Sequence, residues 1–311
     1  MTFLQELANV NWKWVLLGMV LDIVSYGVQA LRWKLLLTPF GKVRLSRSIR
    51  AVYSGLFANL VFPLRPGEFL RSYLVSDSEG ITLARVLGSV GIERFVDLVI
   101  ATASLAVVSL VVKLPVRFER AAYTLSIATL VLLVIIVCLV LYLEIKLGSS
   151  PAPEPGRRRL SGRLMAALTD LHAMGTAPSF YAAVLASLLM PFTQVLALWA
   201  MMRAYGLHAY GQNLSLLAAV VVLLVINLGV SLPNAPANIG SYQFFCFLGL
   251  SVFQIETTTA TGFSFFAWSA LTFPFVFLGF AALLRSGMSL RSMREKVRGR
   301  TGQVSPPNPA N

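Results

Sequence analysis

The chain has 311 residues, of which 57% are hydrophobic and only 13% are charged. A soluble globular domain carries about a quarter charged residues, so this composition excludes an ordinary soluble protein. The net charge of +13 does not indicate nucleic-acid binding, because the basic residues lie in loops and in the tail rather than on one basic face. Several apolar runs reach the roughly 20 residues that a bilayer requires, which predicts an all-α polytopic membrane protein.

The first apolar run predicts a membrane span from residue 12 to about residue 31, and Arg32, Trp33 and Lys34 mark its end at the interface. A basic loop then leads to a second apolar region, residues 47–76, which is broken in its middle. The arm after the break is too short to cross a bilayer. Backbone without internal hydrogen bonds is tolerated at membrane depth only where protein or water surrounds it. The region therefore predicts a re-entrant helical hairpin that lines a polar pocket.

The charged residues of this first hairpin lie at and just after its break. Arg65 is at the predicted tip, and Glu68 and Arg71 follow three residues apart, on one face if the second arm is helical, where they can pair. An unpaired arginine deep in a bilayer is costly, so Arg65 should meet an acid, water or an anionic ligand. The alternative is a shallow hairpin whose charges simply lie at the interface.

Span two, predicted for residues 83–112, carries Glu93, Arg94 and Asp97 in its first half. Glu93 and Asp97 share a helical face, and Arg94 can reach Asp97. Charged residues within a span face protein and often mark functional sites, so the hairpin arginines could balance the two acids. A structural ion-pair network between this span and the hairpin would explain the same pattern.

The second half of the chain repeats this order of elements. The predicted segments are span three at 121–146, a basic loop at 147–178, span four at 179–205 (kinked or started at Pro191), the arms of a second broken hairpin at 214–232 and 241–253, span five at 258–284, and a basic, partly disordered cytoplasmic tail at 291–311. Asn234 and Asn238 lie in the break of the second hairpin.

Residues 12–112 and 179–285 therefore form pseudo-repeats, each with a span, a broken hairpin and a span. Most Lys and Arg residues fall in loops on one side, so the positive-inside rule places that side and the C-terminus in the cytoplasm, with the N-terminus outside. The two hairpins then enter from opposite faces, an arrangement typical of a transporter's central site. The predicted fold is one transmembrane domain, residues 1–290, with five full spans plus two re-entrant hairpins in an inverted repeat.

The isolated polar residues leave several roles open. Asp22 lies alone among the apolar residues of span one, where an acid is a candidate functional residue, although a hydrogen bond to a neighbouring helix would also account for it. Asn59, Asn234 and Asn238 could donate to a lipid headgroup or satisfy hairpin backbone. The two histidines lack partners at ligand spacing, and nucleotide and hydrolase motifs are missing. We expect no metal, no cofactor and no catalytic residue.

Three sequence elements together resemble one known family. They are Arg32-Trp33 after span one, the run N-x-x-x-P-x-R-x-G-E-x-x-R from Asn59 to Arg71, and Glu93-Arg94-x-x-Asp97. This pattern resembles the transmembrane, flippase-like domain of lysylphosphatidylglycerol synthetases. The second break, with Pro233, Pro236 and Gly240, resembles that family's second loop, and the similarity covers about residues 10–290.

The resemblance implies translocation or binding of a lipid. In the two-part synthetases a separate soluble domain transfers the aminoacyl group, and we expect no synthetase activity here because the chain ends in a short basic tail. We expect a transporter in the cytoplasmic (inner) membrane whose partner is a phospholipid or a polyprenyl-phosphate lipid. The expected substrate-binding residues are Asn59, Arg65, Glu68, Arg71, Glu93, Arg94, Asp97, Asn234 and Asn238.

Two alternatives remain open at the level of sequence. Some relatives are linked to glycosyl transfer onto polyprenyl-type lipids, so an intramembrane transferase with Glu68 or Asp97 as general base is one. A lipid-binding partner of a separate lipid-modifying enzyme is the other, and a homo-oligomer is compatible with each function.

Overall fold

The structure is a computed structural model, and its described residues form helices, turns and loops without a β-strand. The described residues are 10–63, 65–111, 172–207, 215–230 and 235–286, with scattered positions between 120 and 170. The helices that frame the bundle are α1 Trp12–Leu37, α2 Leu45–Val61, α3 Gly67–Glu79, α4 Leu83–Val111, α5 Pro178–Ala204, α6 Leu216–Val230, α7 Ser241–Ser251 and α8 Thr257–Arg285. The predicted all-α class is therefore confirmed for this part of the chain.

Some predicted segments lie wholly or largely outside the described residues. They are span three at 121–146, the basic loop at 147–178, Asn234, and the tail at 291–311.

Three of the described helices are long and apolar enough to cross a membrane, namely α1 with its 3₁₀ extension to Phe40, α5 and α8. They correspond to predicted spans one, four and five. The predicted end of span one was wrong, because α1 continues to Leu37 and Arg32 lies buried inside it. α5 begins at Pro178, where the first turn needs no proline N–H, and it runs through Pro191 rather than starting there.

Among the three candidate spans, α1 packs extensively against α5 and also contacts α8. α1 and α5 are antiparallel, because Asn11 N donates to Ala204 O (3.0 Å) at one end while Arg32 donates to Ser187 Oγ (3.3 Å) farther along. α8 runs parallel to α1, since Val15 near the start of α1 shares a core with Phe263 near the start of α8, while the rings of Tyr26 and Phe275 pack edge to face, with centroids 4.8 Å apart, farther along both helices.

Helices α2 and α3 form an antiparallel pair, which we call hairpin one. At its base, Arg44 N and Arg47 Nη1 donate to the carboxylate of Glu79 (3.0 and 2.8 Å). Near its tip, Gly55 and Gly67 bring the two backbones together so closely that a Cβ on Gly67 would lie 2.0 Å from the Gly55 carbonyl oxygen. Only glycine fits this approach.

Helices α6 and α7 form a second antiparallel pair, hairpin two, which is closed by a 3₁₀ turn at Pro236–Asn238. Gly249 packs against Val222 of the opposite helix. The turn is held by side chains: the indole N–H of Trp268 in α8 donates to Ala237 O (2.9 Å), and Gly240 N donates to Gln243 Oε1 (2.8 Å).

The two hairpins enter the bundle from opposite ends. The base of hairpin one lies at the C-terminal end of α8, where Arg50 Nη1 donates to Arg285 O (3.2 Å). The base of hairpin two packs at the other end, in a core that includes Val10, Ala218, Leu250 and Ala260. The tips meet between these ends, because Arg65 Nη1 of hairpin one donates to Val230 O at the end of α6 (2.8 Å).

We expect Gly67→Ala to destabilise hairpin one by about 1–3 kcal/mol, because the added Cβ overpacks the contact with Gly55. The measurement is the apparent Tm of the purified protein in detergent. Gly88→Ala is the matched control: it lies inside α4, its Cβ would meet nothing within 4 Å, and alanine favours the helix. A Tm for Gly67→Ala equal to that of the wild type would contradict the close contact.

Candidate functional site

The centre of the site is the carboxylate of Glu93, which is 0% exposed. Its two oxygens accept hydrogen bonds from Arg32 Nη2 (2.5 Å) of α1 and Arg71 Nη2 (2.7 Å) of α3. Gln29 Nε2 of α1 donates a third (3.0 Å). A buried charge is tolerated only when it is paired and hydrogen-bonded, and Glu93 meets both conditions. The carboxylate therefore ties α1, hairpin one and α4 together.

The two arginines that hold Glu93 are themselves fixed by other groups. Arg32 also donates to both oxygens of Asp97 and to Ser187 Oγ, which extends the network to α5. The Arg71 guanidinium lies 4.8 Å from the ring centroid of Trp33, whose indole N–H donates to Ser89 Oγ (3.0 Å). Arg71 thus lies against both a carboxylate and an aromatic face, which restricts its rotation.

The possible pairing of Glu68 with Arg71 does not form, whereas the other possibility, a hairpin arginine that balances an acid of span two, does. Arg71 lies on the buried face of α3 and pairs with Glu93, whereas Glu68 is partly exposed and pairs with Arg94. The three-residue spacing allowed a local pair, but the buried Glu93 needs positive charge more than the partly exposed Glu68 does. The predicted Arg94–Asp97 pair is present, at 3.7 Å.

Four charged residues next to the buried network are more exposed than Glu93, and we call them the tip cluster: Arg65, Glu68, Arg94 and Asp97. The side chain of Arg94 is 50% exposed, and those of Glu68 and Asp97 are about one-third exposed. Arg65 is partly buried and interacts electrostatically with Arg94 and Glu68. Two arginines and two carboxylates thus lie close together near the tip of hairpin one, all of them at least partly exposed.

Two asparagines of the predicted site, Asn59 and Asn238, lie among the described residues of the two hairpins. Asn59 Oδ1 accepts a hydrogen bond from Gly67 N (2.7 Å), across the break of hairpin one. Asn238 is in the turn of hairpin two, where its φ of 54° is left-handed. Asn has a short polar side chain that tolerates this conformation better than most residues.

Sequence reasoning missed Arg32, Gln29 and Ser187, since it assigned Arg32 to the membrane interface. A signal for two of them is present in α1. Its buried polar residues recur at intervals of three and four, which is one face of a helix, and they are Asp22, Ser25, Gln29 and Arg32. An apolar span with such a stripe indicates a buried polar partner on another helix.

No group of three or more His, Cys, Asp or Glu side chains could hold a metal ion within the described ranges. The chemistry that this arrangement offers is the recognition of charge. Arginines bind phosphate through charge-assisted hydrogen bonds, and carboxylates bind ammonium groups.

We expect Glu93→Gln to lower the free energy of unfolding by about 3–5 kcal/mol, because it leaves two buried arginines with one fewer negative charge. Glu68→Gln is the control. Its pair with Arg94 is partly exposed, so its loss should cost at most about 1 kcal/mol. Apparent Tm values in detergent measure both effects. Equal losses for the two variants would contradict the central role of Glu93.

Comparison with known proteins gives one family. A family model described as "Lysylphosphatidylglycerol synthase TM region" matches residues 2–279. No curated protein and no solved structure matches the chain.

Proposed function

Because the chain belongs to the family of the lysylphosphatidylglycerol synthase transmembrane region, we propose that it moves a lipid headgroup between the leaflets of a membrane. The family relates the chain to lipid modification or transport in a membrane. The observation that carries the more specific proposal is the tip cluster. Half-exposed charges beside the tips of two opposed hairpins would face hydrocarbon unless they line a water-filled cavity.

In this proposal both hairpins are re-entrant, five helices cross the membrane, and the two halves form an inverted repeat. The support is the packing, in which the hairpins start from opposite ends of the bundle and meet through Arg65 and Val230. Broken helices that meet at mid-membrane are typical of transporter sites. The cavity opens alternately as one half rocks against the other, while the lipid tails stay in the bilayer.

The roles of the charged residues follow from their exposure. Arg65 and Arg94 bind the phosphate of a phospholipid or polyprenyl-phosphate lipid. Glu68 and Asp97 neutralise these arginines when the site is empty, or bind a cationic headgroup. Arg71, which the sequence placed among the substrate-binding residues, is held by Glu93 and Trp33 and positions α3 instead.

Arg94→Gln should slow lipid exchange about 10- to 100-fold, because one charge-assisted hydrogen bond contributes about 1.5–3 kcal/mol. The measurement is the exchange of a fluorescent phospholipid between the leaflets of proteoliposomes. Arg85→Gln is the matched control, since Arg85 is on the same helix but pairs with Asp170, away from the tip cluster. Equal rates for Arg94→Gln and wild type would remove Arg94 from the mechanism. A chemically altered headgroup in mass spectrometry of the lipids would indicate a transferase instead.

Topology is tested by single cysteines in a variant that lacks Cys138 and Cys246. Ser78 at the base of hairpin one and Ser251 at the base of hairpin two are both exposed. We expect a membrane-impermeant maleimide to label Ser78→Cys from the cytoplasmic side of the inner membrane and Ser251→Cys from the opposite side. Labelling of both positions from one side would contradict the inverted arrangement.

A further inference from the structure

Asp22 is a second buried acid, and the lipid-binding roles above do not use it. It lies near the middle of α1, which is a candidate membrane span, and only 9% of its surface is exposed. It shares the polar stripe of α1 with Ser25, Gln29 and Arg32, and so faces the interior of the bundle.

The surroundings of Asp22 differ sharply from those of Glu93. Glu93 has two arginines and an amide, whereas Ser25, at 3.4 Å, is the one side chain in the described part of the chain that donates to the Asp22 carboxylate. The same hydroxyl donates at 2.7 Å to the Asp22 carbonyl. No Lys, Arg or His among the described residues forms an ion pair with Asp22. The nearest cations on its own helix, Lys13 and Arg32, are about 14–15 Å away along the axis.

The described titratable side chains that interact with Asp22, from its own helix and from both hairpins, are phenols. Tyr26 of α1, Tyr53 of α2 and Tyr242 of α7 interact with it electrostatically, and Tyr53 Oη donates to Ile23 O (2.9 Å), one residue along. α5 and α8 also pack on α1, but each has a single charged residue, Arg203 or Arg285, at its C-terminal end. On α4, Arg94 interacts with Tyr26, and Glu93 and Asp97 bond to Arg32.

An acid in this environment is stable in its neutral form, because an ionised carboxylate there would lack a counter-charge. Ionisation requires water or a cation to reach it, which happens only when the surrounding helices separate. Both hairpins contribute a neighbour, Tyr53 and Tyr242, so a movement of either hairpin changes access to Asp22. Tyr26 also interacts electrostatically with Arg65 and Arg94, so this phenol is within range of both Asp22 and two arginines of the tip cluster.

From this geometry we propose that Asp22 is the proton-binding site that couples lipid movement to a proton gradient. The coupling rests on the proposed lipid transport, whereas the proton site does not. One carboxylate oxygen of Asp22 takes up one proton from the side to which the cavity is open and releases it after the cavity has opened to the other side. No other bond is made or broken.

The proton site is tested without lipid transport, by infrared difference spectra of the purified full chain after a pH jump. The wild type should show the carbonyl stretch of a carboxylic acid that loses its proton, and Asp22→Asn should lack this band. Glu256→Gln, which changes an exposed acid in the loop before α8, should keep it. If Asp22→Asn does not fold, Asp22→Glu serves instead and should shift the band. A band that is the same in the wild type and in the Asp22 variant, or no band in the wild type, would overturn the proton site.

The coupling is tested in proteoliposomes that carry an imposed pH gradient. Exchange of the fluorescent phospholipid by the wild type and by Glu256→Gln should accelerate severalfold with the gradient, whereas exchange by Asp22→Asn should not respond. A wild type that exchanges lipid without responding to the gradient, or that responds only to sodium, would overturn the coupling. No exchange by the wild type at all would overturn the lipid transport and the coupling that rests on it, while the infrared result would still decide the proton site.

Discussion

The buried carboxylate of Glu93 is the constraint that organises the site. A charge that is removed from water loses its hydration energy, and its new partners must replace it. The partners of Glu93 come from two different elements, Arg32 from α1 and Arg71 from hairpin one. Their convergence fixes how α3 is rotated about its axis. Arg71 points inward to Glu93, while Glu68, one turn earlier at the start of α3, is partly exposed and pairs with Arg94. One buried acid thus orients several helices around the charged cluster.

The hairpin tips meet a second constraint, which is that backbone outside a helix needs partners. Asn59, Gln243 and Trp268 supply these from their side chains. Both tips also hold non-glycine residues at positive φ, namely Arg65, Ala237 and Asn238. Such conformations are costly and persist only where neighbouring contacts enforce them, and they cluster at functional sites. Their occurrence at both tips agrees with a site between the hairpins.

The parts of this structure that depend on local sequence were predictable, whereas the long-range partners of individual charges were predictable only in part. Apolar runs located α1, α5 and α8, and paired prolines followed by glycine located both breaks, whereas the single prolines Pro191 and Pro274 lie inside helices. For Arg71 the sequence left two partners open: the three-residue spacing suggested Glu68 on the same helix, and span two offered Glu93, which is the partner in the structure. Arg32 was misplaced, because a cation after an apolar run is usually interfacial, and its buried partners lie more than 60 positions away.

The contact between the two tips uses a main-chain acceptor, the carbonyl of Val230 at the last turn of α6. Every amino acid carries this oxygen, and at the C-terminus of a helix it bears the partial negative charge of the helix dipole. The identity of residue 230 is therefore immaterial to the contact, whereas Arg65 is indispensable to it. Among related sequences, the residue at position 230 should therefore vary freely, whereas the arginine at position 65 should be retained.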